Sequence, residues 1–202
     1  MTGDRTTVHL VRHGEVYNPM RLLYGRMPGF HLSARGRSMA AVTARFFEGR
    51  EVTYLASSPL ERARETAEPI AEVTGLEVGT IDDVVESHNT FEGLRTKGWR
   101  TQLWYPPRWR HMTNPTRPSW GEPYEEILAR MLRGVEHARA AAEGHEAVVV
   151  SHQLPIVMVQ RYVQRKRLPH LKRECDLASV TSLVFEGPDV VDWSYNRPAK
   201  DV

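Results

Sequence analysis

The sequence has one cysteine, no long hydrophobic run and almost no net charge, and each shortage excludes a class of protein. A single cysteine, Cys175, excludes an internal disulfide and the usual cysteine-rich zinc sites, so we expect it to be a partly buried small side chain that serves packing. The apolar runs are too short to cross a bilayer, so no membrane partner is expected. A net charge of +2 gives no strong field for nucleic acid, and we expect no nucleic-acid partner.

Internal repeats, linkers, metal motifs and targeting signals are missing as well. Without repeats or linkers, the 202 residues predict a single domain over residues 1–202. The histidines contain no His-Glu-x-x-His pattern, so we expect no bound metal and no cofactor. Residues 1–7 lack the basic start and apolar centre of a signal peptide, which makes the cytoplasm the expected location.

The residues that are present alternate between strand-like and helix-like segments. Strands that are apolar on both faces and alternate with helices are typical of a parallel sheet covered on two sides. We therefore predict an α/β fold, a three-layer α/β/α sandwich with a mostly parallel central sheet. The predicted strands are 6–11, 52–56, a short one around 79–83, 147–150, 180–185 and 190–195; the predicted helices are 34–47, 59–74, 123–142 and 154–163.

Local signals fix the ends of two of these helices. Ser33 is a typical N-cap for the first helix. Serine followed by Pro59 predicts a capped start of the second helix, with proline in the first helical position. Gly75 has the residue type expected just past a helix end, and Pro69 inside the helix predicts a kink.

Polar side chains follow three of the predicted strands at the point where each strand ends. Arg12 and His13 follow the first strand, Ser57-Ser58 the second, and Ser151-His152 the apolar strand "AVVV". Ligands of such sheets bind beyond the carboxyl ends of the strands. The sequence thus places His13 and His152 at the carboxyl edge of the predicted sheet. Arg62 lies near the same edge, in the first turn of the helix that follows the second strand.

Five motifs in order carry a family resemblance: "LVRHGE", "LSARGRSMA", "LASSPLERARETAEPIA", "GEPYEEILARM" and "VVVSHQ". Together they resemble the histidine phosphatase superfamily, in its phosphoglycerate-mutase-like branch, from Val8 to about Phe185. The stretches "LYGRMPGFHLS" and "RPSWGEPYEE" are similar to a poorly characterised bacterial subgroup. The resemblance implies a small phosphorylated substrate.

The resemblance also implies a mechanism. His13 would be the nucleophile that forms a phosphohistidine, while Arg12, Arg62 and His152 surround the phosphate. Phosphoryl transfer depends mostly on positioning and charge stabilisation, which two guanidinium groups and a second, charged imidazole supply without metal. The attacking ring must be neutral, with its tautomer held by a bond on its other nitrogen. We expect the carbonyl of Gly14 to accept that bond.

The general acid is less sharply indicated. Segment 84–93 resembles the acid segment of the family, with Glu86 as the best match, but it is one residue shorter and lacks the middle glycine. Glu92 and His88 therefore stay open as alternatives. A general acid needs reach to the leaving oxygen.

Two further substrate-binding residues are predicted with departures from the family pattern. Asn18 matches a phosphate-binding asparagine at a spacing one residue shorter than usual, and Asn18 before Pro19 also fits an ordinary turn. Gln153 stands where glycine is common, so it should narrow the pocket and add an amide near the phosphate.

A segment rich in tryptophan, proline and arginine, at about 94–123, is predicted to lie over the active site or to form an oligomer contact, which leaves a homodimer open. The chain is shorter than family mutases and shows no long C-terminal tail. We therefore expect a metal-independent phosphomonoesterase. A phosphoglycerate-mutase-type transferase and a degenerate, non-catalytic phospho-ligand binder remain as alternatives.

Overall fold

The protein is described by a computed structural model that covers residues 5–95, 121–169 and 174–202. The greater part of the predicted insertion at about 94–123 lies outside these ranges. Within them, no helix combines the length and the apolar composition that crossing a bilayer requires.

One six-stranded sheet forms the centre of the described structure. Its strands are β1 (Arg5–Arg12), β2 (Val52–Ser57), β3 (Gly79–Thr80), β4 (Glu146–Ser151), β5 (Val180–Glu186) and β6 (Asp189–Asn196). They lie in the order β3-β2-β4-β1-β5-β6. The four strands from β3 to β1 pair in parallel, and β5 and β6 add two antiparallel strands at one side. The predicted mostly parallel α/β sheet is confirmed.

Within residues 5–95, 121–169 and 174–202, four α-helices cover the two faces of the sheet. Alternate residues of β4 point to opposite faces, and their contacts show which helices lie on each. Ala147 and Val149 pack in one apolar cluster with Ile127 and Ile156, whereas Val148 lies in a second cluster on the other face. The first face carries α3 (Tyr124–Ala141) and α4 (Gln153–Val163); the second carries α1 (Ala34–Arg45) and α2 (Glu61–Thr74).

The predicted helix ends are partly confirmed. Ser33 caps α1 by accepting a hydrogen bond from the amide of Gly36, and α2 ends at Gly75 in the left-handed conformation. The predicted start of α2 is wrong: the helix begins at Glu61, and its N-cap, Leu60, makes no side-chain cap. The hydroxyl of Ser58 instead bonds to the ring of His152.

The sheet brings the ends of three parallel strands to one edge. Arg12 pairs with Ser151 in the β1–β4 register, and Ser57 pairs with Val150. The pairing continues one step past the strands, because the amide of His13 donates to the carbonyl of Ser151 at 3.1 Å. The residues that follow β1, β2 and β4 therefore meet in space.

Candidate active site

Two imidazoles and two guanidinium groups meet at this edge. The ring centroids of His13 and His152 are 5.2 Å apart, and both residues are buried. Arg62 is completely buried beside them, with its guanidinium carbon 4.8 Å from the centre of the Tyr24 ring. Arg12 completes the group, since it lines the same cavity as His13.

The His13 ring is held by its own loop. Its Nδ1 lies 2.8 Å from the carbonyl oxygen of Gly14, as predicted, so Nδ1 carries the proton and Nε2 keeps a free lone pair. The same loop is tied to α2, because the amide of Gly14 donates to the hydroxyl of Thr66 at 3.1 Å. Burial, with the charges of Arg62 and Arg12, holds the pKa of His13 well below its ordinary value. The ring is therefore neutral and able to act as a nucleophile.

His152 is neutral too, which corrects the expectation of a charged ring. Burial is the largest cause that lowers its pKa, followed by the nearby ring of His13 and the positive charge of Arg62. Its Nε2 lies 2.8 Å from the Ser58 hydroxyl. A neutral imidazole still donates one hydrogen bond, provided that the proton sits on the nitrogen that faces the ligand.

Four buried nitrogen atoms of this group lack a hydrogen-bond partner. They are the only such buried side-chain nitrogen or oxygen atoms found in residues 5–95, 121–169 and 174–202. Buried polar atoms are nearly always hydrogen-bonded, so unmet donors concentrated at one place indicate a ligand site. The atoms are Nε of Arg12, Nε and Nη1 of Arg62, and Nδ1 of His152.

The remaining groups of the two arginines anchor them. Nη1 of Arg12 donates to the carbonyl of Cys175 at 2.5 Å, and Nη2 of Arg62 donates to the carbonyl of Gly25 at 2.6 Å. Cys175 itself is buried, more completely than the partly buried side chain that the sequence predicted, and burial raises the pKa of its thiol to about 11. Its backbone, not its sulfur, thus serves the site.

A cavity of about 380 Å³ opens next to His13 and Arg12. Gln153 lines it and donates from its amide to the carbonyl of Cys175 at 3.3 Å. Gly121 and Glu122, at the start of the second described range, also line it. Among the described residues, no group of three or more His, Cys, Asp or Glu side chains forms a metal-binding cluster.

The three candidate acids occupy different places. Glu86 lines the cavity, and its charge is among the influences that raise the pKa of Arg62 against the larger lowering by burial. His88 also lines the cavity, but its side chain is 63% exposed and lies 3.8 Å from Glu92. Glu92 packs against the backbone of Gly25, so closely that a Cβ on Gly25 would fall 2.1 Å from the Glu92 carboxylate.

Asn18 is placed in a turn. Its side-chain oxygen accepts from the amide of Leu22 at 3.0 Å, and its side-chain nitrogen donates to the carbonyl of Leu22 at 2.8 Å. Leu22 lines the cavity, whereas Asn18 is not among the lining residues. The geometry brings Arg12, His13, Arg62 and His152 together, whereas Asn18 is held in the turn by Leu22 and does not line the cavity.

Three residues contribute to the site in ways that the sequence did not indicate, although Ser58 was expected at the strand end. Ser58 bonds to His152, Tyr24 lies against Arg62, and Glu122 bonds to two arginines behind the cavity. Each contacts a partner more than 30 residues away in the sequence; Glu122 in addition bonds to Arg130, eight residues further along the chain. The "GEPYEE" motif contained Glu122, but only the fold shows its partners.

Comparison with known proteins shows the family of the chain. The chain matches the family model of the histidine phosphatase superfamily (branch 1) over residues 8–196. It is 50% identical to "Uncharacterized protein Rv0525" of Mycobacterium tuberculosis over 199 residues, which cover 97% of this chain and 98% of the relative.

Two more distant relatives carry functional names. The chain is 31% identical to "Phosphoserine phosphatase 1" of Hydrogenobacter thermophilus, over 73% of this chain and 71% of the relative. It is 30% identical to "Probable phosphoglycerate mutase GpmB" of Serratia proteamaculans, over 74% and 70%. The solved structure of Bacillus stearothermophilus YhfR superposes with a TM-score of 0.75 at 24% identity, covering 92% of this chain and 95% of that one.

Proposed function

The chain belongs to branch 1 of the histidine phosphatase superfamily, and we propose that it is a metal-independent phosphomonoesterase that works through a phosphohistidine. Its substrate in this proposal is a small phosphorylated metabolite. The proposal goes beyond family membership, because the superfamily relatives include proteins named as a phosphatase and as a mutase.

One observation carries the proposal: four unmet nitrogen atoms surround a neutral, pre-oriented imidazole. A phosphate group offers three or more acceptor oxygens and negative charge, which match these donors in number and sign. Two guanidinium groups in a buried site also stabilise the charge that spreads over the equatorial oxygens during transfer.

In the first step, Nε2 of His13 attacks phosphorus. The bond from phosphorus to the ester oxygen breaks, and the leaving oxygen takes a proton from the carboxylic acid of Glu86. Arg12 and Arg62 hold the equatorial oxygens, and His152 donates from Nδ1. The pKa of His13, lowered chiefly by burial, keeps this nucleophile unprotonated at neutral pH.

In the second step, water attacks the phosphohistidine. The carboxylate of Glu86 takes a proton from that water, the bond from phosphorus to nitrogen breaks, and inorganic phosphate leaves. His13 returns to its neutral form, with Nδ1 still bonded to Gly14. The same carboxyl group thus serves as acid and then as base.

Glu86 is preferred as the acid because of its position. Both carboxylates accept a hydrogen bond from a nearby backbone amide, Glu86 from Ser87 at 2.8 Å and Glu92 from Asn89 at 3.1 Å. Only Glu86 of the two lines the cavity, within electrostatic reach of Arg62. His88 is largely exposed. Gln153 is proposed to contact the substrate from the cavity wall, and Asn18 to act on phosphate only through the loop that it shapes.

Mutase activity is the second candidate, and the 30% identity to a probable phosphoglycerate mutase favours keeping it. A mutase must protect its phosphohistidine from water until a second oxygen accepts the phosphoryl group. Cytoplasmic location and an association of two copies remain predictions from the sequence.

The test is the hydrolysis of p-nitrophenyl phosphate by the purified chain. We expect release of p-nitrophenol without added metal and without inhibition by EDTA, and loss of turnover to background in His13→Ala. The matched control is His145→Ala, a half-exposed histidine remote from the site, which should retain wild-type turnover.

Three results would contradict the proposal. Retained turnover in His13→Ala would exclude this nucleophile. Interconversion of 2- and 3-phosphoglycerate that is much faster than their hydrolysis would indicate the mutase. Tight binding of vanadate with no turnover across a broad panel of phosphomonoesters would indicate a binder without catalysis.

A further inference from the structure

Glu122 connects two arginines behind the cavity. One carboxylate oxygen accepts from Nε of Arg130 at 2.7 Å, and the other accepts from Nη2 of Arg26 at 2.8 Å and from Nη2 of Arg130 at 3.1 Å. The side chains of Glu122 and Arg130 are only 14% and 9% exposed. Charge-assisted bonds in such a shielded place are strong and fix direction.

Both arginines use their other nitrogens on the segment that carries Glu86. Nε of Arg26 donates to the carbonyl of Glu86 at 2.6 Å. Nη1 of Arg130 donates to the carbonyls of Asp83 and Val85, at 2.7 and 2.6 Å. The two arginines thus donate hydrogen bonds to three of the four backbone carbonyl groups of segment 83–86.

The backbone of Glu122 adds a further bond to the same region. Its amide donates to the carbonyl of His88 at 3.1 Å, and its neighbour Gly121 pairs with Asn89 in an isolated bridge. Glu122 therefore holds residues 83–89 directly through its backbone and indirectly through its carboxylate. Its two oxygens accept three guanidinium bonds, so it serves as an acceptor although it lines the cavity.

We propose that Glu122, with Arg26 and Arg130, is a positioning device that fixes the backbone of Glu86 so that its carboxyl group reaches the leaving oxygen. This inference rests on the proposed function, since Glu86 is the acid in that proposal. A displacement of about 1 Å in a catalytic group reduces rates roughly 10²-fold, so a grip on the carbonyls that flank the acid has catalytic consequences.

The leaving group separates this role from a general structural one. p-Nitrophenolate leaves without protonation, whereas an alkoxide leaving group requires the acid. Glu122→Gln keeps the shape of the side chain but replaces one guanidinium acceptor with an amide that donates. The parameter to compare is kcat/KM, because it covers the steps up to release of the leaving group and not the later attack of water, in which Glu86 also acts. We expect Glu122→Gln to lower kcat/KM for an alkyl phosphate such as glycerol 2-phosphate by about 10- to 100-fold, and that for p-nitrophenyl phosphate by less than about threefold.

Glu125→Gln is the matched control, because Glu125 is an exposed glutamate in the first turn of α3. It should leave both rates unchanged. Thermal unfolding of each variant reports any loss of stability, which would lower both rates together. Equal losses on both substrates in Glu122→Gln would overturn the inference.

A double-mutant cycle with Glu86→Gln tests whether Glu122 acts through Glu86. If it does, adding Glu122→Gln to Glu86→Gln produces no further loss on the alkyl phosphate. Independent, multiplied losses would overturn the inference while leaving the proposed function intact. A wild-type protein that hydrolyses neither ester would overturn both, so the two failures are distinguishable.

Discussion

Three side chains in this site use some of their nitrogen atoms to bond to the protein and keep others unpaired, in position for a ligand. Arg12, Arg62 and His152 each use one nitrogen on the protein and leave at least one buried nitrogen unmet. An unmet buried donor costs about 1–3 kcal/mol. A bound phosphate group would accept hydrogen bonds from these donors and remove that destabilisation, which favours tight binding of the anion.

Ser58 provides a test at the residue scale. The amide of Leu60 donates to its oxygen at 3.4 Å, which leaves the hydroxyl proton for Nε2 of His152 at 2.8 Å. Because Nε2 accepts this bond, the one N–H proton of the neutral ring lies on Nδ1, where the ligand needs a donor. We expect Ser58→Ala to lower kcat/KM for p-nitrophenyl phosphate about fivefold, since one hydrogen bond contributes about 1 kcal/mol.

The control for this change is Ser38→Ala, an exposed serine on α1 that bonds only to the turn before it. Steady-state kinetics with both variants are sufficient. Wild-type kcat/KM in Ser58→Ala would show that the tautomer of His152 does not depend on this hydroxyl.

Arg62 shows why sequence reasoning reaches only part of the site. An arginine in the first turn of a helix reads as exposed, and only the family resemblance favoured a catalytic place for it. In the structure it is completely buried, because the helix starts at the sheet edge and Tyr24 covers the guanidinium group. Burial of that kind depends on a loop distant in sequence, which local patterns do not report.

Among the elements, the loop after β1 and the start of α1 are in unusually close contact. A Cβ on Gly14 would lie 2.6 Å from the carbonyl oxygen of Gly36, and a Cβ on Gly36 would lie 2.0 Å from that of Glu15. Real Cβ atoms do not approach backbone so closely, so only glycine allows α1 to pack against the loop that carries His13.

This contact gives a prediction at the element scale. We expect Gly36→Ala to lower the free energy of unfolding by about 1–3 kcal/mol, because the added methyl group displaces backbone that cannot yield freely. Urea denaturation measures the change. Ser38→Ala on the exposed side of the same helix should alter it by less than about 0.5 kcal/mol. An unchanged midpoint in Gly36→Ala would refute the close packing.

The elements themselves were largely predictable, and the reason is periodicity. Apolar strands that alternate with amphipathic helices indicated the parallel sheet, and the polar residues at three strand ends indicated the edge where His13 and His152 meet. The start of α2 was mispredicted because Ser58, a good cap by residue type, is engaged by His152 instead. Tertiary contacts override local capping preference here.

At the scale of the whole molecule, the two buried imidazoles make stability depend on pH. Their pKa values are lowered in the folded protein, chiefly by burial, so the unfolded chain binds more protons once the pH falls below the ordinary histidine pKa of about 6.5. The free energy of unfolding therefore falls as the pH drops from the ordinary histidine pKa towards the lower pKa values of the folded protein. His31, whose pKa is raised mainly by its bond to Glu65, acts in the opposite sense but is exposed and screened.

The measurement is denaturant unfolding at pH 7.5 and pH 5.5, in the wild type and in the double variant His13→Asn/His152→Asn. We expect a clear decrease for the wild type towards pH 5.5 and a smaller decrease for the double variant. Equal decreases in the two proteins would show that these histidines are not the groups that titrate.

The central claim is that His13 takes the phosphoryl group, and rapid acid-free quenching tests it most directly. Wild-type protein is mixed with a phosphomonoester labelled with ³²P, denatured in alkali within one turnover and digested. The account predicts an alkali-stable, acid-labile label on the peptide that contains His13. Product release with the label on another residue, or with no labelled peptide at any time during the turnover, would contradict it.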